Sequence, residues 1–215
     1  MKKYELTEDA KTLENGVVLH RIRALRDIEL SDGTKVRAGD IGGWVETEKN
    51  LSQEGSAWVC GSALVCGDAQ VCDDALVSGD ACVCDDASVY DKALVSGSAR
   101  VCGDAEVYGT ARVHGSAAIN GEAWVYGDAE VYGTARAHGS AAVDGTARVY
   151  GDAAVYGEAR VCDCAHVYGS AAVYGDAVVR GTARVCGEAA VGGVAVVCGT
   201  ARVDGRAVEE KEAER

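Results

Sequence analysis

The chain has 215 residues and a formal net charge of −13, with ten Cys, one Met and no Phe or Pro. Direct binding to nucleic acid is disfavoured, because phosphate contacts need clustered Lys and Arg side chains, and no stretch is long and apolar enough to cross a membrane. The first residues also lack the apolar segment of a signal peptide, so we expect a cytoplasmic protein whose thiols stay reduced.

Residues 1–55 do not repeat and are predicted to form a small N-terminal cap made of β-hairpins. Asn15-Gly16 and Asp32-Gly33 are strong signals for hairpin turns. Strands are predicted at 17–25 and 35–38. A rod built from repeats needs cover at its ends, because the terminal coil otherwise exposes its apolar interior.

From residue 57 to residue 207 the unit Ala-x-Val-x-Gly-x repeats every six residues without insertion. Only Ile119 and Ala137 replace Val between Val65 and Val203, and only Asp replaces Gly, at four positions. Ala and Val are two residues apart, so both point to one side of a short strand, and Gly permits the corner that follows. Residues 56–207 are therefore predicted to form a three-sided parallel β-solenoid of about eight coils, with 18 residues per coil.

The spacing of an aliphatic residue and a small residue four positions later, as in Val65 and Ala69, resembles the hexapeptide-repeat superfamily. That resemblance implies a left-handed parallel β-helix, so the fold class is all-β. The leader motifs at 21–27, 38–46 and 50–52 resemble those of uncharacterised phage, prophage and bacterial hexapeptide-repeat proteins. The run at 162–169 resembles a bacterial member described as acyltransferase-like. Residues 208–215 are predicted to be a charged C-terminal tail.

Residues 18 apart stack on one another in such a coil, so outward-facing columns can be assigned from the sequence. Trp58, Leu76 and Leu94 form an apolar column that should not face water, and we expect the N-terminal segment to cover it. A second column is small and flat, and it lies beside two Tyr rings. We expect this interaction surface to make the protein a dimer or trimer; its residues are Ala118, Ala154, Ala172, Ala190, Tyr156 and Tyr174.

A third column forms an acidic ridge along one corner. A solvated corner is the favoured interpretation, since corner Asp residues also bond nearby backbone N–H groups. A ridge that binds hard cations is the alternative, because such ions prefer grouped oxygens. The residues of the acidic ridge are Asp68, Asp86, Asp104, Glu122, Glu158 and Asp176.

No catalytic residue, cofactor or metal site is predicted. Acyltransferases of the hexapeptide-repeat superfamily place a catalytic His near a projecting loop, whereas His114, His138 and His166 lie in unbroken hexads. Their spacings place them on different faces, which also argues against a three-His metal centre. Cys162, Cys164 and His166 straddle a corner and are expected to diverge, and the stacked cysteines are interpreted as small surface residues: Cys66, Cys84 and Cys102.

These features together favour a non-catalytic binding or scaffold protein. If the chain is encoded by a phage, a host protein is the expected partner. The alternative is a hexapeptide-repeat acyltransferase with a degenerate or inter-subunit site, which would bind and turn over acyl-CoA.

Overall fold

The computed structural model describes residues 2–209. The N-terminal part contains β1 (Tyr4–Thr12), β2 (Val18–Ala24), β3 (Ile28–Glu29), β4 (Lys35–Val36), β5 (Ile41–Val45) and one 3-10 turn (Glu48–Asn50). The coils that follow contain β6 (Trp58–Val59), β7 (Leu64–Val65), β8 (Gln70–Val71), β9 (Leu76–Val77), β10 (Cys82–Val83), β11 (Ser88–Val89), β12 (Leu94–Val95), β13 (Arg100–Val101), β14 (Glu106–Val107), β15 (Arg112–Val113), β16 (Ala118–Ile119), β17 (Trp124–Val125), β18 (Glu130–Val131), β19 (Arg136–Ala137), β20 (Ala142–Val143), β21 (Arg148–Val149), β22 (Ala154–Val155), β23 (Arg160–Val161), β24 (His166–Val167), β25 (Ala172–Val173), β26 (Val178–Val179), β27 (Arg184–Cys186), β28 (Ala190–Val191), β29 (Val196–Val197), β30 (Arg202–Asp204) and β31 (Ala207–Val208).

The coil strands form the three faces of a parallel β-solenoid. Within the coils, each strand pairs with the strand three positions later in the chain, so the strands form three sheets. The first face runs from β5 through β7 and β10 to β31, the second from β8 to β29, and the third from β6 to β30. Registers join residues 18 apart, as in Glu130 with Arg148. The predicted all-β solenoid with 18 residues per coil is confirmed.

The solenoid begins earlier than the sequence repeat does. β5 pairs in parallel with β7, and Leu51 bridges Val71, so residues 41–55 already form a coil inside the segment predicted as a cap. The third face has nine strands, from β6 to β30, and the solenoid has about nine coils instead of about eight. Trp44 lies opposite Leu64, twenty positions later, so this coil is longer than the others and does not match the six-residue period.

The interior of the solenoid is a column of Val and Ala side chains, which are almost all inaccessible to solvent. Ile119 and Ala137, the two exceptions in the Val series, lie directly opposite each other on β16 and β19. The larger side chain of Ile119 therefore lies beside the smaller one of Ala137. The extra methylene of Ile119 offsets part of the volume that Ala137 leaves empty, as close packing requires.

The corners explain why only Asp interrupts the Gly series. Gly115 has φ of 71°, and a Cβ there would lie 3.0 Å from the backbone of Gly133. The four non-Gly residues with positive φ are Asp73, Asp85, Asp91 and Asp163. Asp tolerates this conformation better than most residues, and the carboxylate of Asp163 accepts a bond from the Gly181 N–H at 2.9 Å.

The N-terminal hairpin extends the first face beyond its parallel strands. β1 pairs antiparallel with β2, and β2 pairs antiparallel with β5, around the turn predicted at Asn15-Gly16. The turn predicted at Asp32-Gly33 connects β3 and β4, which also pair antiparallel. The predicted strands at 17–25 and 35–38 are thus present as slightly shorter elements.

Specific polar contacts fasten the start of the chain to the first coils. Lys3 is inaccessible to solvent, and its ammonium donates to the carbonyls of Glu54 and Ala57 at 3.0 and 2.9 Å. Burial, and then the charge of Arg26, lower the pKa of Lys3 to about 8. The Tyr4 hydroxyl donates to the Leu51 carbonyl at 2.7 Å.

At the other end, the last described strand includes Val208, which pairs with Val191. Most of the predicted charged tail, residues 210–215, lies outside the described residues. Within residues 2–209, no helix is long and apolar enough to cross a membrane.

Candidate functional site

The apolar column of the third face is covered where it adjoins the N-terminal segment. Trp58 is 1% exposed and Leu76 is 6% exposed, while Leu94 is half-buried. The Tyr4 ring meets Trp58 edge-on with the ring centroids 6.4 Å apart. Ile28, Leu30 and Val36 of the β3–β4 hairpin belong to the same buried cluster as Trp58 and Leu76.

The alanines of the predicted interaction surface all lie on the first face, and each is half-buried. Ala154, Ala172 and Ala190 stack in consecutive coils on β22, β25 and β28. Arg136 lies between Ala118 and Ala154 and interrupts the column there. The flat part of the surface therefore consists of the last three alanines.

Tyr156 and Tyr174 lie beside these alanines at the corner between the first and second faces. Their rings stack with centroids 5.3 Å apart, and His138 stacks on Tyr156 at 5.0 Å. The Tyr174 ring lies over Gly192, where a Cβ would come within 2.3 Å of it. The Tyr174 hydroxyl also donates to Glu209 Oε1 at 3.3 Å.

Two further aromatic ladders follow the other corners of the solenoid. One consists of Tyr90, Tyr108 and Tyr126, whose rings stack at 4.9 Å. The other begins at His114, which stacks on Tyr132 at 5.0 Å, and it continues through Tyr150 and Tyr168. Trp124 lies on the second face next to the first of these ladders and is 41% exposed.

The three repeat histidines are therefore distributed over different parts of the surface. His114 and His138 belong to ladders at different corners. His166 lies on β24 of the third face, where burial and then the charges of Arg148 and Arg184 lower its pKa. A single acceptor could not contact all three imidazoles.

The acidic ridge follows the corner that also carries Tyr156 and Tyr174. All six of its carboxylate side chains are exposed. Ser140 interrupts the ridge, and its hydroxyl donates to Glu122 Oε2 at 3.2 Å. Each carboxylate of the ridge is therefore accessible to solvent.

A groove lies between the N-terminal hairpin and the first face. Its volume is about 700 Å³. The β1–β2 turn forms one wall, and strands β7, β10 and β13 with their corners form the other. The residues that carry its chemistry are Glu46, Cys66, Cys82, Cys84, Asp85 and Arg100.

Three cysteines converge beside this groove, and two of them, Cys82 and Cys84, line it. The sulfur atoms of Cys82, Cys84 and Cys102 all lie within 4.8 Å of one another, and all three residues are half-buried. The Cys84 and Cys102 sulfurs are 2.7 Å apart. In the part of the chain that the structure describes, no other group of three or more His, Cys and acidic side chains has ligand atoms this close together.

The 18-residue stacking predicts the column of Cys66, Cys84 and Cys102 but not the participation of Cys82. Cys82 and Cys84 flank Val83, which is inaccessible to solvent, so both point outward from one strand and its corner. The Cys-x-Cys pattern at 82–84 is the signal that would have included it. The earlier interpretation as small surface residues does not account for this convergence.

Hydrogen bonds within the cluster shift the pKa values of its three thiols in opposite directions. Hydrogen bonds from Cys82 and Cys84, with the nearby guanidinium of Arg100, lower the pKa of the Cys102 thiol. The same interactions with Cys102 raise the pKa of Cys82 and of Cys84. Among these three thiols, Cys102 is therefore the one whose pKa is lowered.

The second cysteine pattern behaves differently. The hydroxyl of Thr146, in the neighbouring coil, donates to Cys164 Sγ at 3.1 Å. Burial raises the pKa of Cys162, and neighbouring carboxylates raise it further. Among residues 2–209, the side chains close enough to share an ion do not include Cys162, Cys164 or His166.

Comparison with known families agrees with the architecture. A family model described as the YdcK beta solenoid repeat matches residues 69–85. The matched segment includes β8 to β10 and two of the clustered cysteines. Comparison with curated proteins finds no match. Fold and match together define a β-solenoid repeat protein.

Proposed function

We propose that the protein is a non-catalytic scaffold that binds a second protein chain through the flat part of its first face. The observation that carries this proposal is the column of Ala154, Ala172 and Ala190 beside the stacked rings of Tyr156 and Tyr174. The most direct occupant is a second copy of this chain, in a dimer or trimer.

The shape of this surface supports close contact with another sheet. Alanine side chains project little, so a second flat surface can approach closely and pack without voids. The two Tyr rings add apolar area and end in hydroxyls that can bond across an interface. The acidic ridge lies along the adjoining corner and would form a charged rim.

The regularity of the coils supports a binding role over catalysis. The hexads continue without a projecting loop between the first and last coil, and each repeat His contacts a Tyr ring. A hexapeptide-repeat acyltransferase with a degenerate or inter-subunit site is the alternative function. Because the leader resembles phage and prophage proteins, we further propose a host protein as the partner in a cell.

Self-association can be tested by size-exclusion chromatography with multi-angle light scattering. We expect the wild type to be a dimer or trimer at micromolar concentration and Ala154→Arg/Ala172→Arg to be a monomer. Val178→Arg/Val196→Arg is the matched control, because these half-buried residues stack in the same way on the second face. A monomeric wild type would contradict the proposal.

The same pair of variants distinguishes a face contact from an edge contact. Among residues 2–209, no further strand pairs with the outer edges of β29, β30 and β31, and such edges can pair with another chain. If both double variants keep the wild-type mass, association occurs through those edges and the proposed surface is wrong.

Catalysis can be tested separately with acetyl-CoA and a panel of amine and hydroxyl acceptors. We expect no release of CoA thiol above the rate without protein. Turnover that disappears in His114→Ala or His138→Ala would instead establish the acyltransferase alternative.

A further inference from the structure

We propose that Cys82, Cys84 and Cys102 form a three-thiolate site for the soft metal ion Cu(I). The site lies at the groove between the N-terminal hairpin and the first face. It is independent of the flat surface proposed for protein binding.

The sulfur positions suit a single ion. Metal–sulfur bonds of about 2.3 Å, as for zinc, place ligand sulfurs about 4 Å apart. The three sulfurs already lie within 4.8 Å of one another. Side-chain rotations that move the Cys84 and Cys102 sulfurs apart would place all three sulfurs around one centre.

The backbone holds the ligands in place before any ion binds. The amide of Cys84 donates to the Val101 carbonyl, and the amide of Cys102 donates to the Ile119 carbonyl, each at 3.0 Å. Cys82 and Cys84 are further fixed by Val83, which is inaccessible to solvent in the core. Only side-chain rotation is needed, so the entropy lost on binding is small.

The charges around the cluster favour a cation once the thiols ionise. Binding would release the protons of the three thiols, because thiolates are the ligating form. Asp85 contributes a carboxylate 3.7 Å from Cys84 Sγ, and Arg100 offsets part of the accumulated negative charge.

The number and softness of the ligands select the metal. Thiolates prefer soft ions such as Cu(I) over hard ions such as Mg²⁺ or Ca²⁺. Structural zinc sites almost always have four ligands, and the convergent group here has three. Cys66 is stacked below Cys84 in the neighbouring coil but is outside this group.

The proposal can be tested by loading reduced protein with Cu(I) under anaerobic conditions and competing with a Cu(I) chelator. We expect the wild type to retain one equivalent. In Cys82→Ser/Cys84→Ser/Cys102→Ser the apparent affinity should fall by more than about 100-fold, since even neighbours that only orient ligands change affinity by about 10- to 100-fold. Cys162→Ser/Cys164→Ser/Cys198→Ser is the matched control and should retain the ion.

Two measurements make the outcome decisive. X-ray absorption at the copper edge should give three sulfur neighbours in the wild type, and circular dichroism should show that both triple variants are folded. If the cluster variant does not fold, Cys102→Ser alone replaces it. Equal retention by the cluster variant and the wild type would overturn the proposal. So would a reduced wild type that loses all copper to the chelator.

Discussion

The N-terminal segment and the repeat coils reach a buried core by different means. In the coils, each interior Val or Ala contacts an equivalent residue 18 positions away, and the backbone bonds repeat with that period. In the N-terminal segment, burial depends on large side chains that occur once. Tyr4 packs on Trp58, and buried Lys3 bonds to Glu54 and Ala57.

This difference shows what a periodic fold requires at its end. A coil in the middle of the solenoid is covered above and below by identical neighbours. The first coil lacks a neighbour on one side, so residues that are not part of the period must cover it. The free energy of unfolding should therefore depend both on the non-periodic cover at the end and on the periodic packing within the coils.

The largest expected effect is at Trp58, which tests the covering role of the N-terminal segment. Trp58→Ala should reduce the free energy of unfolding by about 3–5 kcal/mol, because it removes a buried ring. Trp124→Ala is the matched control at an outward position of another coil, where the ring is 41% exposed. Its effect should be within about 0.5 kcal/mol. Urea denaturation measures both, and equal losses would mean that Trp58 is not specifically covered.

An intermediate effect is expected at the corners of the repeat. Gly115→Val forces a β-branched residue to positive φ against the backbone of Gly133. It should therefore cost about 1–3 kcal/mol. Gly115→Asp should cost less than Gly115→Val, because Asp occupies the equivalent conformation at Asp163 and bonds the next corner. Thermal unfolding followed by circular dichroism compares the two, and a reversed order would contradict the role assigned to corner Asp residues.

The smallest single effect is expected at Ile119, which belongs to the compensating pair in the core. Ile119→Val should cost about 0.5–1.5 kcal/mol through lost packing, and Ala137→Val about 1–3 kcal/mol through overpacking. The double variant makes the column uniform and should be more stable than the sum of the single costs predicts. A double-mutant cycle from urea denaturation should give a coupling of about 0.5–3 kcal/mol. Simple additivity would show that the two residues do not compensate each other.

The candidate metal site shows how far the period allows a site to be predicted. Stacking at 18 residues correctly places Cys84 next to Cys102, because that contact repeats the backbone register. The contribution of Cys82 depends on side-chain directions at a corner. The groove wall formed by Leu13, Asn15 and Val17 depends on how the hairpin packs on the first face. Neither relation is periodic, so neither could be obtained from spacing.

The sequence by itself determined the solenoid, its three faces and the identity of each outward column, because every hexad repeats the same local choice of strand and corner. It also determined both hairpin turns, since Asn-Gly and Asp-Gly strongly favour them. Only the tertiary structure decided that the first coil begins at β5, that Tyr4 and Lys3 fasten the end, and that three thiols converge beside the hairpin. These features arise from single contacts between segments far apart in the chain, and a local period carries no information about such contacts.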